Sequence, residues 1–366
     1  MNVVFRTDAS TRIGTGHVMR CLTLADALRS NGATCRFVCR TQPGDLSPLI
    51  EQRGHAVVRL ADRADAPDKP VDDEPLPVHA EFLGVHWRTD AELTANSVAG
   101  SRPDWLVVDH YALDARWESM VAPSVGHLLT IDDIADRRHA CELLLDQNWY
   151  GDATDTRYVG LVPEDCRCLL GPAYALLGPE YTELRESMAQ RDGKVRNVLV
   201  FIGGSDPQNH TARALQGLSE PDLRSLALTI VLGPNHPDAG AIGRVAAKRP
   251  ATTIRRNLPT LAPLMAQSDL MVGGGGSTGW QRLCLGLPAV VLGMAENQFA
   301  TNIALHDAGY IDYLGPADDV SATDIADAIR RAVADPSALI ERGRRGQRLV
   351  SGAGAAEVSR LMASVV

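Results

Sequence analysis

Val3-Val4-Phe5-Arg6-Thr7-Asp8-Ala9-Ser10-Thr11-Arg12-Ile13-Gly14-Thr15-Gly16-His17 joins a short apolar run to a glycine-framed loop. Val18, Cys21, Leu22, Ala25 and Leu28 then recur at helical spacing until Asn31-Gly32 stops the pattern. A strand, a long loop and an amphipathic helix in that order open an α/β sheet of mostly parallel strands.

The same alternation runs outward from this stretch. Apolar runs at Cys35–Cys39, Ala56–Leu60, Trp105–Val108, Leu128–Ile131 and Leu143–Leu145 bring the first sheet to six expected strands. A second series comprises Val198–Ile202, Ser225–Leu232, Thr252–Arg256, Asp269–Val272 and Ala289–Leu292, and Asp324–Ala334 and Ala355–Val365 read as terminal amphipathic helices. A length of 366 residues exceeds the usual span of one domain. The polar segment Arg185–Lys194 marks the boundary, which gives expected domains at 1–187 and 188–366. The expected fold class is α/β, with two Rossmann-like domains facing across a cleft, because open α/β sheets bind ligands beyond the carboxyl ends of their strands. The Pro-, Asp- and Ala-rich stretch Asp62–Pro77 reads as an exposed excursion with no assigned chemistry.

Composition narrows the function classes. Apolar residues make up 45% and charged residues 22%, the balance of a folded globular chain. A net charge of −9 argues against nucleic acid or an acidic membrane as partner, since both need clustered Lys and Arg. The seven cysteines lack C-x-x-C spacing, so they are expected to be reduced thiols, mostly buried, rather than a zinc site or disulfide framework. The first apolar run is too short for a signal-peptide core, and no later run approaches a membrane span, so a cytoplasmic location is expected.

Gly14 and Gly16 invite a dinucleotide reading, but Met19 stands in place of the third glycine and no acid follows the second strand. A nicotinamide cofactor is therefore not expected. The two glycines instead form a bend where a ligand approaches backbone N–H groups at a helix start. His17 sits at that start, where the positive helix end disfavours an imidazolium and suits the ring to accept a proton. Asp8 is expected to orient it, and Arg6, Arg12 and Arg20 are available for negative charge, with no sequence reason to choose among them. A histidine that merely caps the helix is the bland alternative.

A second glycine turn, Gly273-Gly274-Gly275-Gly276-Ser277-Thr278, follows Asp269–Val272 and leads into a helix. Without side-chain bulk a phosphate docks on exposed N–H groups, and Ser277 and Thr278 serve either as caps or as phosphate ligands. No P-loop lysine follows, which favours phosphate binding over metal-assisted phosphoryl transfer. Gln281, four residues beyond Ser277, shares its helix face and is placed to reach a ribose hydroxyl. Gly203-Gly204-Ser205-Asp206-Pro207 follows Val198–Ile202 in the same way, with Asp206 read as a helix start. Glu296-Asn297-Gln298 supplies groups for hydroxyl or N-acetyl recognition, while Asp109-His110-Tyr111, Asp132-Asp133 and Asp146-Gln147-Asn148 are strand-end candidates for the sugar side.

Taken together, these motifs and Tyr174-Ala175-Leu176 resemble the UDP-2,4-diacetamido-2,4,6-trideoxy-β-L-altropyranose hydrolases of pseudaminic acid biosynthesis, which adopt the two-Rossmann glycosyltransferase (GT-B) fold. The resemblance runs over nearly the whole chain. It implies hydrolysis of that UDP-sugar to UDP and the free sugar without metal or cofactor, with His17 activating water for displacement at C1 and Asn297 touching substrate. The binding set expected beside His17 is Asp8, Gly14, Gly16, Asp109, Tyr111, Gly204, Gly276, Ser277, Thr278, Gln281, Asn297 and Gln298. One departure is Gln281, which stands where relatives of this fold usually hold ribose with a glutamate. A glycosyltransferase that passes the sugar to an acceptor hydroxyl and a non-catalytic UDP-sugar-binding protein remain the other readings. UDP release without an acceptor separates hydrolysis from transfer.

Overall fold

The computed structural model describes residues 1–60, 75–204, 206–233 and 236–366. Most of the Asp62–Pro77 excursion, and Ser205 of the Gly203–Asp206 turn, therefore lie outside the described residues. By contact density the chain forms two units, one of Met1–Asn148, Asp152–Leu176 and Ala353–Val366, the other of Trp149–Gly151 and Leu177–Gly352.

Seven strands build the first unit: β1 (Asn2–Thr7), β2 (Thr34–Arg40), β3 (Ala56–Leu60), β4 (Trp105–Asp109), β5 (His127–Ile131), β6 (Leu143–Asp146) and β7 (Arg167–Leu170). They run in the order β3-β2-β1-β4-β5-β6-β7, every pair parallel. An all-parallel sheet must be covered on both faces, which is why its strands read as unbroken apolar runs. On one face Phe5, Val107 and Leu145 pack with Leu22, Leu28, Val358 and Met362 from the helices Gly16–Ser30 and Gly354–Val365. On the other, Val4, Leu106 and Leu144 pack with Trp87, Ala91 and Trp117 from the helices Trp87–Val98 and Ala115–Val121. The seventh strand corrects the expected six: Arg167-Cys168-Leu169-Leu170 lies at the sheet edge, where mixed polarity is tolerated.

The helix Gly354–Val365, near the end of the chain, belongs to this first unit. Trp105 Nε1 donates to the Met362 carbonyl at 3.2 Å, and a Cβ on Gly354 would meet the Ala175 carbonyl oxygen at 2.3 Å. Contact grouping thus differs from a single cut at 187/188, since it also assigns the helix Pro179–Ser187 to the second unit.

The second unit holds β8 (Asn197–Phe201), β9 (Ala227–Leu232), β10 (Thr252–Arg256), β11 (Leu270–Gly274), β12 (Ala289–Gly293) and β13 (Asp312–Pro316). Their order is β10-β9-β8-β11-β12-β13, again all parallel. Each sheet reverses its winding once, between β1 and β4 in the first and between β8 and β11 in the second. Such reversals open the crevice in which α/β sheets bind ligands. The loop to His17 follows β1 and Asp109 ends β4, while Gly203-Gly204 follows β8 and Gly275–Thr278 follows β11.

Candidate active site

The loop after β1 is held by its own backbone. Gly14 N–H donates to the Ser10 carbonyl at 2.8 Å, Ser10 Oγ accepts from the N–H groups of Arg12 and Ile13, and Gly14 takes φ of 83°, a conformation that favours glycine. A Cβ on Gly14 or Gly16 would meet nothing within 4 Å, so these positions stay open above the helix start.

That helix places His17 and Arg20 one turn apart on the same face. His17 Nδ1 lies 2.6 Å from Asp109 Oδ1. Arg20 grips the same carboxylate with two donors, Nε to Oδ2 and Nη2 to Oδ1, both at 2.6 Å, and its Nη1 donates to Asp133 Oδ2 at 2.7 Å. Tyr111 closes the group by donating to Asp133 Oδ1 at 2.6 Å and by meeting the His17 ring edge-on at 4.5 Å. Burial pushes Asp109 up, but Arg20 and then His17 more than offset it and hold its carboxyl well below the ordinary range. With Asp109 ionised, His17 keeps its proton on Nδ1, and Nε2 is the nitrogen left to accept one.

Asp8 does not orient His17. It is wholly buried, and its oxygens accept from Arg6 at 2.6 and 2.9 Å and from the Arg40 N–H at 2.7 Å. Arg6 and Arg40 also share Asp90, which takes the indole N–H of Trp117 at 3.1 Å. Asp8 therefore braces the floor behind the loop, and the orienting carboxylate is Asp109, 92 residues from His17 in sequence. Of the three candidate arginines, Arg20 reaches the histidine's partner, Arg6 is spent in the floor, and Arg12 pairs with Glu81 at the surface.

Beside this group stands a second carboxylate pair. Tyr158 Oη lies 3.0 Å from Asp132 Oδ2 and 3.1 Å from Asp146 Oδ2. One phenol proton serves only one of the two carboxylates at a time, so a proton on either acid relieves the contact. Asp132 has Arg137 Nη1 at 2.9 Å, and that ion pair, with His139 behind it, outweighs burial and keeps it ionised. Burial and the nearby Asp133 push Asp146 up to about 7, with the Asn148 N–H at 2.8 Å and Arg157 Nε at 3.3 Å only partly opposing them. Of the two, Asp146 is the acid that holds its proton longest as pH rises towards about 7.

The sign of its effect on stability follows. Between the ordinary carboxylate pKa and about 7, folded Asp146 holds a proton that the unfolded chain has released, so stability falls as pH rises through that window and levels above it. A shift of this size is worth at most about 4 kcal/mol. Asp146→Asn, which mimics the neutral acid, is expected to flatten the slope and raise Tm at pH 8 by several degrees, at about 2–4 °C per kcal/mol. Melting curves from pH 4 to 9 check this; a variant that tracks the wild type at every pH removes the proton from Asp146.

In the second unit the glycine turn is closely fitted. A Cβ on Gly274 would lie 2.4 Å from the Ile202 carbonyl oxygen, and one on Gly275 would lie 1.9 Å from Asn302 Nδ2. Ser277 occupies the N-cap position of the helix Thr278–Cys284 but makes no side-chain capping bond. Polar groups around this turn are buried and unpaired. Arg282 is fully buried and gives Nη1 to the Gly274 carbonyl at 2.9 Å, while its Nε and Nη2 have no partner. Burial alone lowers Arg282 to about 10, for no carboxylate among the described residues faces it. Asn302, also fully buried, leaves both amide atoms unpaired, and so does Gln281 its Oε1. Unpaired buried groups of this kind are costly. Gln298 Oε1 accepts from Met294 N–H at 3.3 Å with its Nε2 beside Gly276, whereas Asn297 and Ser277 are exposed. Gly204 abuts the turn after β9 so closely that a Cβ on Gly233 would lie 1.6 Å from its carbonyl oxygen. Asp206 caps its helix from four residues back, accepting from the N–H groups of His210 and Thr211 at 2.9 Å.

The structure thus brings together His17, Asp109 and Tyr111 in the first unit, and Gly276, Ser277, Thr278, Gln281 and Gln298 around one turn in the second. Asp133, from the strand-end pair Asp132-Asp133, joins the first group, and Arg282 and Asn302 join the second without a motif of their own.

No family model matches the chain. Among curated proteins it is 24% identical over 313 residues to an uncharacterised protein of Methanocaldococcus jannaschii, covering 81% of this chain and 57% of that one. It is 28% identical over 214 residues to a spore coat polysaccharide biosynthesis protein of Bacillus subtilis, covering 58% and 62%. The chain spans less than two thirds of either. It is 25% identical over 311 residues to the UDP-2,4-diacetamido-2,4,6-trideoxy-β-L-altropyranose hydrolase of Campylobacter jejuni, covering 85% of this chain and 98% of that one. The chain is similar to this hydrolase over most of both sequences. Among solved structures, MurG of Acinetobacter baumannii matches with a TM-score of 0.68 at 14% identity over 99% of both chains. The calicheamicin glycosyltransferase CalG4 matches with 0.64 at 16% identity, covering 99% of this chain and 97% of that one. The chain therefore has the two-Rossmann glycosyltransferase fold. Among its described residues no helix is long and apolar enough to cross a membrane.

Proposed function

We propose that the protein hydrolyses the anomeric C–O bond of UDP-2,4-diacetamido-2,4,6-trideoxy-β-L-altropyranose, releasing UDP and the free sugar. The observation that carries this reading is the His17–Asp109 pair at 2.6 Å, placed at the winding reversal of the first sheet. Asp109 fixes the tautomer, so Nε2 is a general base for water. Water oxygen bonds to C1 while its proton passes to Nε2. The C1–O bond breaks, and its electron pair leaves on the β-phosphate of UDP. The second unit supplies the nucleotide cradle: the closely fitted turn offers N–H groups to phosphate, with Ser277 and Thr278 at the helix start. The guanidinium of Arg282, unmatched by any carboxylate among the described residues, puts a positive charge beside that turn. Gln281 is assigned to the ribose and Asn297 and Gln298 to the sugar. Water as nucleophile, and the identity of the sugar, draw on the similarity to the Campylobacter hydrolase.

The test is turnover of the UDP-sugar in ¹⁸O-water without any acceptor, followed by NMR and mass spectrometry. Sustained release of UDP, with one ¹⁸O at C1 of the sugar and none in UDP, is expected. Label in the β-phosphate would overturn C–O cleavage, and strict dependence on an added acceptor alcohol would overturn hydrolysis.

A further inference from the structure

All seven cysteines are free thiols, and three of them converge in the first unit at the amino-terminal ends of β6 and β7. His17 instead follows the carboxyl end of β1, so this cluster is no part of the site above. Cys141 precedes β6 by two residues, Cys166 immediately precedes β7, and Cys168 lies within β7. Leu143 pairs with Arg167 in the parallel ladder, and Arg167 N–H donates to the Glu142 carbonyl at 2.9 Å. That register sets Cys141 diagonally across from Cys166, with their sulfurs 3.9 Å apart. Cys168 lies two residues along the same strand from Cys166, on the same face.

The geometry separates the three roles. Neighbouring strands lie about 4.8 Å apart, so one residue of diagonal offset keeps Cys141 and Cys166 within the span a disulfide bridges. Cys166 and Cys168 are two residues apart on one extended strand, about 6.6 Å by strand rise, close to the long limit for a disulfide. Cys141 is buried, whereas Cys166 and Cys168 are half-buried and reachable. The thiol of Cys166 stabilises a thiolate on Cys168 and holds it down to about 7, while hydrogen bonding to Cys141 and Cys168 pushes Cys166 itself up. An accessible sulfur with thiolate character, next to a second thiol, is what selective oxidation requires.

We propose that Cys141, Cys166 and Cys168 form a peroxide-reactive thiol site whose end product is a Cys141–Cys166 disulfide tying β6 to β7. The Cys168 thiolate attacks hydrogen peroxide: an S–O bond forms, the O–O bond breaks, and the departing hydroxide takes a proton to become water. Cys166 attacks the sulfenic sulfur of Cys168, its thiol proton leaving with the hydroxyl as a second water. Cys141 then attacks Cys166, gives its proton to solvent and releases the Cys168 thiolate. Overall two thiols are oxidised by two electrons and one peroxide is reduced to two waters.

The sequence makes the test clean, because trypsin cuts after Arg138, Arg157 and Arg167 and so puts the three cysteines on separate peptides. The full chain is treated with graded hydrogen peroxide, quenched with N-ethylmaleimide in denaturant, digested and mapped by mass spectrometry. Expected is a disulfide joining the 139–157 and 158–167 peptides at peroxide levels that leave Cys21, Cys35, Cys39, Cys168 and Cys284 alkylated. Cys168→Ser is expected to form that disulfide at least tenfold more slowly, and Cys166→Ser to leave a dimedone-reactive sulfenic acid on Cys168. Wild-type protein that gives sulfinic Cys168 without a disulfide, or oxidation spread evenly over all seven thiols, overturns the proposal. So does an unchanged rate in Cys168→Ser. The wild-type map decides the matter even if a variant fails to fold.

Discussion

Replacing His17 with asparagine is expected to lower kcat by about 10²–10⁴, the usual worth of a positioned general base, with UDP affinity nearly unchanged. The choice of asparagine matters. Its amide nitrogen can still donate to Asp109, which already accepts two bonds from Arg20, so the buried carboxylate keeps its partners and the unit keeps its fold. What is lost is the Nε2 lone pair. If that lone pair acts only as the C–O bond breaks, kcat and kcat/KM fall together while KM holds. A rise in KM with unchanged kcat would make His17 a binding group, and an unchanged rate would remove it from the mechanism. Isothermal titration with UDP, run beside the kinetics, separates lost chemistry from lost binding.

How much of this was legible in the sequence depended on how local the cause was. The central strands β1, β4, β8 and β11 could be read because burial on both faces of a parallel sheet forces continuous apolar runs. Of the four edge strands, β3 and β10 could be read as well, but β7 and β13 could not. Arg167–Leu170 mixes an arginine with apolar residues, and Asp312–Pro316 opens on an acid and closes on a proline, as edges allow. The helix Pro336–Leu349 escaped notice because Gly343 and Gly346 weaken its pattern; their lack of a Cβ lets it pack onto Gly286 and Leu283, a reason that appears only in three dimensions.

The candidate site divides in the same way. His17 announced itself through the glycines around it, and Asp109 through its place at a strand end. Their pairing was hidden because it spans β1 to β4, and the nearer acid, Asp8, was the natural but mistaken choice. Asp8 and Arg6, two residues apart at the end of one strand, point the same way and satisfy one another instead. Arg282 carried no signal at all: an arginine in the last turn of a short helix reads as a surface charge suited to the helix dipole, and only the fold shows it buried.

Arg282→Met is therefore expected to have two effects of opposite sign. Without ligand, the wild type holds a buried guanidinium with no acid opposite it and with Nε and Nη2 unpaired among the described residues. Replacing a poorly compensated buried charge with an apolar side chain of similar reach is often neutral or stabilising by about 1–4 kcal/mol. The loss of the single bond to the Gly274 carbonyl works against this, at about 1 kcal/mol, so the apo melting temperature is expected to hold or rise. UDP affinity, by contrast, is expected to fall by about 10- to 100-fold, the worth of one charged interaction of about 1.5–3 kcal/mol. Thermal shift with and without UDP reads both at once, since a ligand stabilises only in proportion to ln(1 + [L]/Kd). UDP should raise the wild-type midpoint far more than that of the variant. The reverse pattern, a lower apo midpoint with an undiminished response to UDP, would make Arg282 a clamp on Gly274 and would require the diphosphate to find its positive charge elsewhere.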